Sequence, residues 1–308
     1  MTSQTIFFIV CLVCSFLICA FATRKLIPVL KSLKMGQKIL DIGPRWHKGK
    51  EGTPTMGGLA RLIAAFITGL GVIIYCIYND GIAPNVKLIC TVVMALLYGA
   101  IGIIDDRVKL LKKQNEGLTA KQKYLLQLVI AGLYLVVLTL SDNLSTVLHI
   151  PFTSLELDLG YFYYIFALIL ITGIVNAANL TDGIDGLAST VTLIIGGSFA
   201  AFASKIGESA TDVSALSGIL MGVCLGFLVY NAYPAKIFMG DTGSLFFGAL
   251  VVGCAFMADN PLIILFAGLM YIIETASVML QTTYFKFTRI RFGDGADPVR
   301  MDLGGTNH

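Results

Sequence analysis

Charge is what this sequence has least of. Of its 308 residues only 13% are Asp, Glu, Lys or Arg, about half the share a soluble domain carries. That excludes a surface facing water along most of the chain. Tryptophan occurs once, proline eight times and histidine three times. The histidines, at positions 47, 149 and 308, are too scattered for a zinc motif. The seven cysteines (11, 14, 19, 76, 90, 224 and 254) all fall inside apolar runs. None has metal-ligand spacing, so they read as small buried apolar residues rather than disulfides or metal sites. Low-complexity segments and clear internal repeats are missing, and no stretch reads as a soluble domain. No Lys or Arg precedes the first apolar run, whereas Arg24 and Lys25 follow it directly. "CAFA" at Cys19–Ala22 loosely resembles a cleavage site, but the missing basic region argues against a cleaved signal.

Long apolar runs are what the chain has instead, at 56% hydrophobic residues. Runs of membrane-spanning length, roughly 20 residues, lie at about 5–23, 57–78, 86–104, 124–141, 161–178, 188–204, 214–232, 243–257 and 261–285. Their close spacing predicts one domain over 1–308: an all-α, polytopic membrane bundle of nine transmembrane helices.

Basic residues orient the bundle. With the N-terminus outside, Arg24 to Arg61, Arg107 to Lys123, Lys236 and the tail after the ninth run all fall on the cytoplasmic side. Of 22 Lys and Arg, only Lys87 and Lys205 fall outside. Residues 142–160 hold no Lys or Arg, and Tyr161, Phe162, Tyr163 and Tyr164 then form an aromatic belt at the outer interface. The net charge of +3 reflects this bias and gives no reason to invoke nucleic acid.

Four polar stretches share the inner side. They are "KGKEGTPTMGG" (Lys48 to Gly58), "GIIDDRVKLLKKQNEGLTAKQK" (Gly102 to Lys123), "NAANLTDGIDGLA" (Asn176 to Ala188) and "NAYPAKIFMGDTGS" (Asn231 to Ser244). No outer loop carries anything comparable. The pattern predicts a site at the inner membrane surface.

Each acid has two readings. Asp105 and Asp106 fall at the C-terminal end of the third run, where the helix dipole disfavours a carboxylate by roughly 0.3–1 kcal/mol. They form either a solvated helix end or a place where a divalent cation relieves their repulsion. Lys109 shares the face of Asp105 if the helix continues, as an ion pair or a phosphate contact. An Asp before a helix is a good N-cap, which would account for Asp185 before the sixth run and for Asp241 before the eighth. It does not account for Asn176 and Asn179 at the end of an apolar helix, where polar groups face an interior or a water-filled cavity. Gly240, Gly243 and Ser244 allow close approach of backbone N–H groups to an anion. Phe238 is either a core aromatic or a stacking platform for a base. "GTPTMGG" offers Lys50, Thr53 and Thr55 but lacks a Walker ending. Glu274, inside the ninth run, is either functional or a helix contact.

Taken together, these stretches resemble the motifs of the phospho-N-acetylmuramoyl-pentapeptide transferases (translocase I), within the polyprenyl-phosphate N-acetylhexosamine-1-phosphate transferases. "YFKFTRIRFGDG" (Tyr284 to Gly295) resembles the segment after the family's ninth helix. The resemblance covers about residues 20–295, and "GTPTMGG" with "NEGL" favours the muramoyl-pentapeptide enzymes over the N-acetylglucosamine siblings. It implies transfer of phospho-MurNAc-pentapeptide from UDP to undecaprenyl phosphate, giving lipid I and UMP in peptidoglycan synthesis, with Mg2+ as cofactor. It places Lys50, Thr55, Asn179, Asp182, Asp185, Asn231 and Phe238 in the substrate pocket. Asp105, Asp106 and Asp241 become the catalytic acids and metal ligands, Asp241 foremost. It further implies a multi-pass protein of the bacterial inner (cytoplasmic) membrane with its site on the cytoplasmic face, nucleoside-type inhibitors, and a homodimer as an open expectation. After Met301 the chain departs from the family's Pro-x-His-His-His and tenth helix, reading "DLGGTNH". The C-terminus is expected in the cytoplasm. The alternatives are a sibling N-acetylglucosamine-1-phosphate transferase, a tail-less substrate-binding protein without turnover, which the departure from the family's tail suggests, and, from another class, an ion-coupled transporter, though transporters place charge nearer the midplane.

Overall fold

The architecture follows from what each apolar run must hide. In the computed structural model, residues 2–33, 52–112, 117–151, 153–207 and 210–288 are described. The helices are α1 (Ser3–Ser32), α2 (Gly58–Asp80), α3 (Val86–Lys112, entered by a 3-10 turn over Ala83–Asn85), α4 (Ala120–Leu140), α5 (Phe162–Thr181), α6 (Leu187–Ile206), α7 (Thr211–Asn231), α8 (Gly240–Met257), α9 (Ile263–Ala267) and α10 (Leu269–Thr288). Among the described residues, α1 to α8 are long and apolar enough to cross a membrane.

The all-α class stands, while two features depart from the expected detail. The ninth run, 261–285, is not one helix. It divides at Gly268, whose N–H bonds back to the Ile264 carbonyl at 2.7 Å and ends α9. α10 then carries Glu274, Gln281 and several hydroxyl residues, which dilute its apolarity. The loop between α4 and α5 is not purely irregular either. β1 (Val147–His149) and β2 (Glu156–Asp158) pair antiparallel, Leu148 opposite Leu157. The aromatic belt is also partial: Tyr161 and Phe162 are exposed, but Tyr163 turns inward and is 2% exposed. Consecutive residues on a helix point in different directions, so four aromatics in a row cannot all face outward.

α8 is the axis of the bundle. Nearly every residue from Thr242 to Met257 is buried, against α3, α5, α2 and α7. α1 lies beside α7 in the same direction. Gly218, Gly222 and Gly226 form the α7 face that meets the α1 backbone at Phe8, Leu12 and Phe16. Such small-residue spacing permits close helix approach in a membrane. A side chain at Gly222 would collide with Ser15 Oγ and the Leu12 carbonyl. Gly222→Leu is therefore expected to force α1 away and to destabilise the fold by about 1–3 kcal/mol. An unchanged melting temperature of the detergent-solubilised protein would contradict this.

Alternating helices bring the polar stretches to one end. The start of α2, the end of α3, the α5–α6 turn and the α7–α8 loop meet there. At the opposite end Lys87 pairs with Asp259. Lys50, residues 34–51 as a whole and the tail from 289 lie outside the described residues, and with them the expected tail features.

Candidate active site

The acids of α3 and α8 face one another. α3 continues two turns past its expected end, so Lys109 does sit one turn after Asp105 and bonds it at 2.8 Å. The other Asp105 oxygen accepts from the Leu118 backbone N–H at 2.7 Å. Lys109 Nζ also reaches Asp241 Oδ2 at 2.7 Å, and Lys123 Nζ reaches the same oxygen at 2.9 Å. Asn179 Nδ2 donates to Asp241 Oδ1 at 2.8 Å and to Ser244 Oγ at 2.7 Å. One carboxylate oxygen each from Asp105, Asp106 and Asp241 lies within 4.8 Å of the others. Three clustered hard oxygen donors fit a divalent cation such as Mg2+.

Asp106 does something the sequence did not disclose. One of its oxygens accepts from the Asp241 N–H at 3.1 Å. The other accepts from the Thr242 N–H at 2.9 Å and from Thr242 Oγ1 at 2.6 Å. It therefore caps α8 from a different helix. Because α3 runs on to Lys112, Asp106 lies well inside that helix rather than at its negative end, and it sits beside the positive end of α8. Asp241 does not cap its own helix; it lies inside the first turn of α8. Gly240 makes the approach possible, with φ of 70° and a hydrogen where any side chain would strike Asp106 and Thr55.

The "DGIDG" turn is also built differently from expectation. Gly186, at φ 75°, is the N-cap of α6, and Asp185 makes no cap. Asp185 instead accepts from the Ala235 N–H at 3.1 Å, tying the turn to the α7–α8 loop. Asn231 joins the same two segments. Its Oδ1 accepts from the Gly186 N–H at 3.2 Å and its Nδ2 donates to the Ile237 carbonyl at 3.0 Å. With 3% exposure, Asn231 uses its polar atoms on the protein itself. Phe238 is half-buried, its backbone paired with Pro54 and Gly57 at 2.8 Å. That pairing lays the GTPTMGG segment beside the start of α8 and brings Thr55 to the acids. Asn176 points elsewhere, into a reciprocal amide pair with Gln127 on α4. Glu274 is half-buried on α10.

Asp182 ends α5 and is half-buried. Burial pushes its carboxyl up to about 7, Arg61 opposes this, and Asp241, Asp106 and Asp185 add to it. A carboxyl raised from 3.8 in the folded state holds its proton where the unfolded chain has lost it. Stability of the ligand-free protein should thus fall as pH rises from about 4 through about 7, then level off. Asp182→Asn is expected to melt progressively higher than the parent across that window. A difference independent of pH would refute the assignment.

Lys123 and Thr242 were not singled out from the sequence, and Ser244 was read only as a small residue, not as a partner of Asn179. A signal for Lys123 existed: Lys123 and Gln127 lie one turn apart on an otherwise apolar helix, on the face that continues into buried Ala131 and Tyr134. Arg61 was counted as an inner-surface cation, but it is fully buried.

A bundle of membrane-length helices that gathers three carboxylates and two ammonium groups at one end defines a membrane protein with a charged site suited to a divalent cation and anionic ligands. Comparison with known proteins narrows the class. Residues 88–259 match Glycosyl transferase family 4, and residues 50–60 match Phospho-N-acetylmuramoyl-pentapeptide-transferase signature 1. A phospho-N-acetylmuramoyl-pentapeptide-transferase of Staphylococcus aureus is 43% identical over 265 residues, covering 85% of this chain and 80% of the relative. One of Listeria welshimeri is 41% identical over 293 residues, covering 94% and 88%. The chain belongs to the phospho-N-acetylmuramoyl-pentapeptide transferases of glycosyl transferase family 4. That membership removes the transporter reading.

Proposed function

We propose that this chain transfers phospho-MurNAc-pentapeptide from UDP-MurNAc-pentapeptide to undecaprenyl phosphate at the cytoplasmic face of a bacterial membrane. The observation that carries this is the meeting of Asp105, Asp106, Asp241, Lys109 and Lys123 at the end of the bundle holding the GTPTMGG segment. A phosphate oxygen of the lipid attacks the sugar-bearing phosphorus, the bond to the UMP oxygen breaks, and UMP leaves. The lipid phosphate has a second pKa near ~6 and is already largely dianionic at neutral pH, so a strong general base is unnecessary. Asp105 and Asp241 would hold Mg2+, with Asp106 contributing an oxygen beside its capping role. Bound there, Mg2+ neutralises charge on the diphosphate. Lys109 and Lys123 supply positive charge next to the same phosphates. Asn179 orients Asp241. Phe238, Thr55, Asp182 and Lys50 serve the nucleotide and sugar, while Asp185 and Asn231 hold the pocket walls. Nucleoside-type inhibitors would compete in that pocket.

The test supplies purified protein with UDP-MurNAc-pentapeptide, undecaprenyl phosphate and Mg2+, then measures UMP by chromatography. UMP and lipid I in equal amounts are expected. No UMP with both substrates and metal present would overturn the reading.

A further inference from the structure

Arg61 is the most deeply buried cation in the described bundle, with no exposure at all. It projects from the first turns of α2 among aromatic, thioether and hydroxyl groups, with the Asp182 carboxyl close enough to feel its charge but not in a salt bridge with it. Its guanidinium carbon lies 3.6 Å from the Phe227 ring centroid on α7 and 4.2 Å from that of Phe247 on α8. Nη1 donates to Met239 Sδ and Nη2 to Ser189 Oγ, while Nε has no hydrogen-bond partner. No salt bridge joins it to an acid among the described residues. Packing alone does not call for a guanidinium here. A buried charge with no carboxylate in direct contact is costly in a membrane bundle.

What the guanidinium does uniquely is join four helices behind the acids. Met239 immediately precedes Gly240 and Asp241. Ser189 Oγ is 3.5 Å from Asn231 Oδ1, the atom that accepts from Gly186. The backbone of Gly57 and Gly58, one turn before Arg61, bonds the Phe238 and Met239 carbonyls at 2.8 and 2.9 Å. One planar fork, fixed between two rings, thus reaches the turn that presents Phe238 and Asp241 and the asparagine that closes the pocket wall. A planar guanidinium can stack and donate in two fixed directions together; an ammonium cannot.

We propose that Arg61 is a positioning residue for this site, holding the 238–241 turn and Asn231 in register through Met239 and Ser189. The inference rests on the proposed transferase reading for its kinetic arm only. Arg61→Met and Arg61→Lys are measured for UMP release, for the rise in melting temperature on adding UMP, and for Mn2+ affinity by electron paramagnetic resonance. Both variants are expected to lose about 10- to 100-fold in kcat/KM, with a smaller UMP-induced shift and weaker Mn2+ binding. Lysine should not rescue, because it keeps the charge and loses the fork. Full rescue by lysine would mean that the charge alone matters and would overturn the proposal, as would wild-type values in both variants. Should either variant fail to fold, Ser189→Ala and Met239→Leu remove the two partners and leave Arg61 in place. Unchanged kinetics and Mn2+ affinity in both of those would equally overturn it. If the parent protein releases no UMP, the transferase reading falls, while the UMP-binding and Mn2+ arms still decide the role of Arg61.

Discussion

Asp241→Asn is expected to lower UMP release by about 10³-fold or more and to abolish measurable Mn2+ binding. The loss corresponds to about 4 kcal/mol of transition-state stabilisation, within reach of removing a metal ligand. The change is nearly isosteric, so packing around α8 stays intact. Its electrostatic effect is large, because Asp241 Oδ2 takes both Lys109 and Lys123. Asparagine leaves Lys109 with Asp105 and takes from Lys123 the carboxylate it faces here. The fold should also weaken, since removing one partner of a buried charge group costs more than the group contributes. Substantial turnover with ordinary Mg2+ dependence would show that Asp241 is not a metal ligand.

Asp106→Ala should damage the fold as well as the chemistry. Two backbone N–H groups and a hydroxyl lose their acceptor at the N-terminus of a helix buried on all sides. Loss of a cap costs about 1 kcal/mol, and each orphaned buried donor about 1–3 kcal/mol. A drop in melting temperature should therefore accompany a fall in kcat of about 100-fold. Asp106→Asn, which retains one acceptor oxygen, should melt higher than the alanine variant and keep part of its Mn2+ affinity. If Asp106→Asn loses Mn2+ as completely as Asp241→Asn while melting like the parent, Asp106 is a ligand and not a cap.

The sequence disclosed where the polar stretches meet better than how they are wired. Spans, class and the shared end of the polar stretches were legible because apolar length and basic-residue bias are local properties. The Asp105–Lys109 pair was legible because a helix fixes its own i, i+4 neighbours. The capping of α8 by Asp106 was not, because it depends on which helix stands opposite. A local rule offered capping as one reading of Asp185 and Asp241, yet tertiary contacts use one on a loop N–H and the other on two lysines. The ninth run was misjudged because hydropathy averaged over 25 residues hides a break at Gly268. Arg61 was misplaced because its position near a helix end matches an interfacial cation, and only packing shows that its side chain turns inward.

The enclosure of α8 bears on how the protein is made. At 18 residues it is the shortest of the eight membrane-length helices and the least apolar, and it opens on an aspartate. An aspartate at the centre of a lone helix costs about 2.5–3.5 kcal/mol during insertion, and Asp241, in the first turn, costs less. Yet α8 shows almost none of its surface to lipid. Its hosts α2, α3, α5 and α7 all precede it in the chain, so each has been synthesised before α8 leaves the ribosome. The apolar surface of α8 is therefore matched to helices made before it, and little of it is left for lipid.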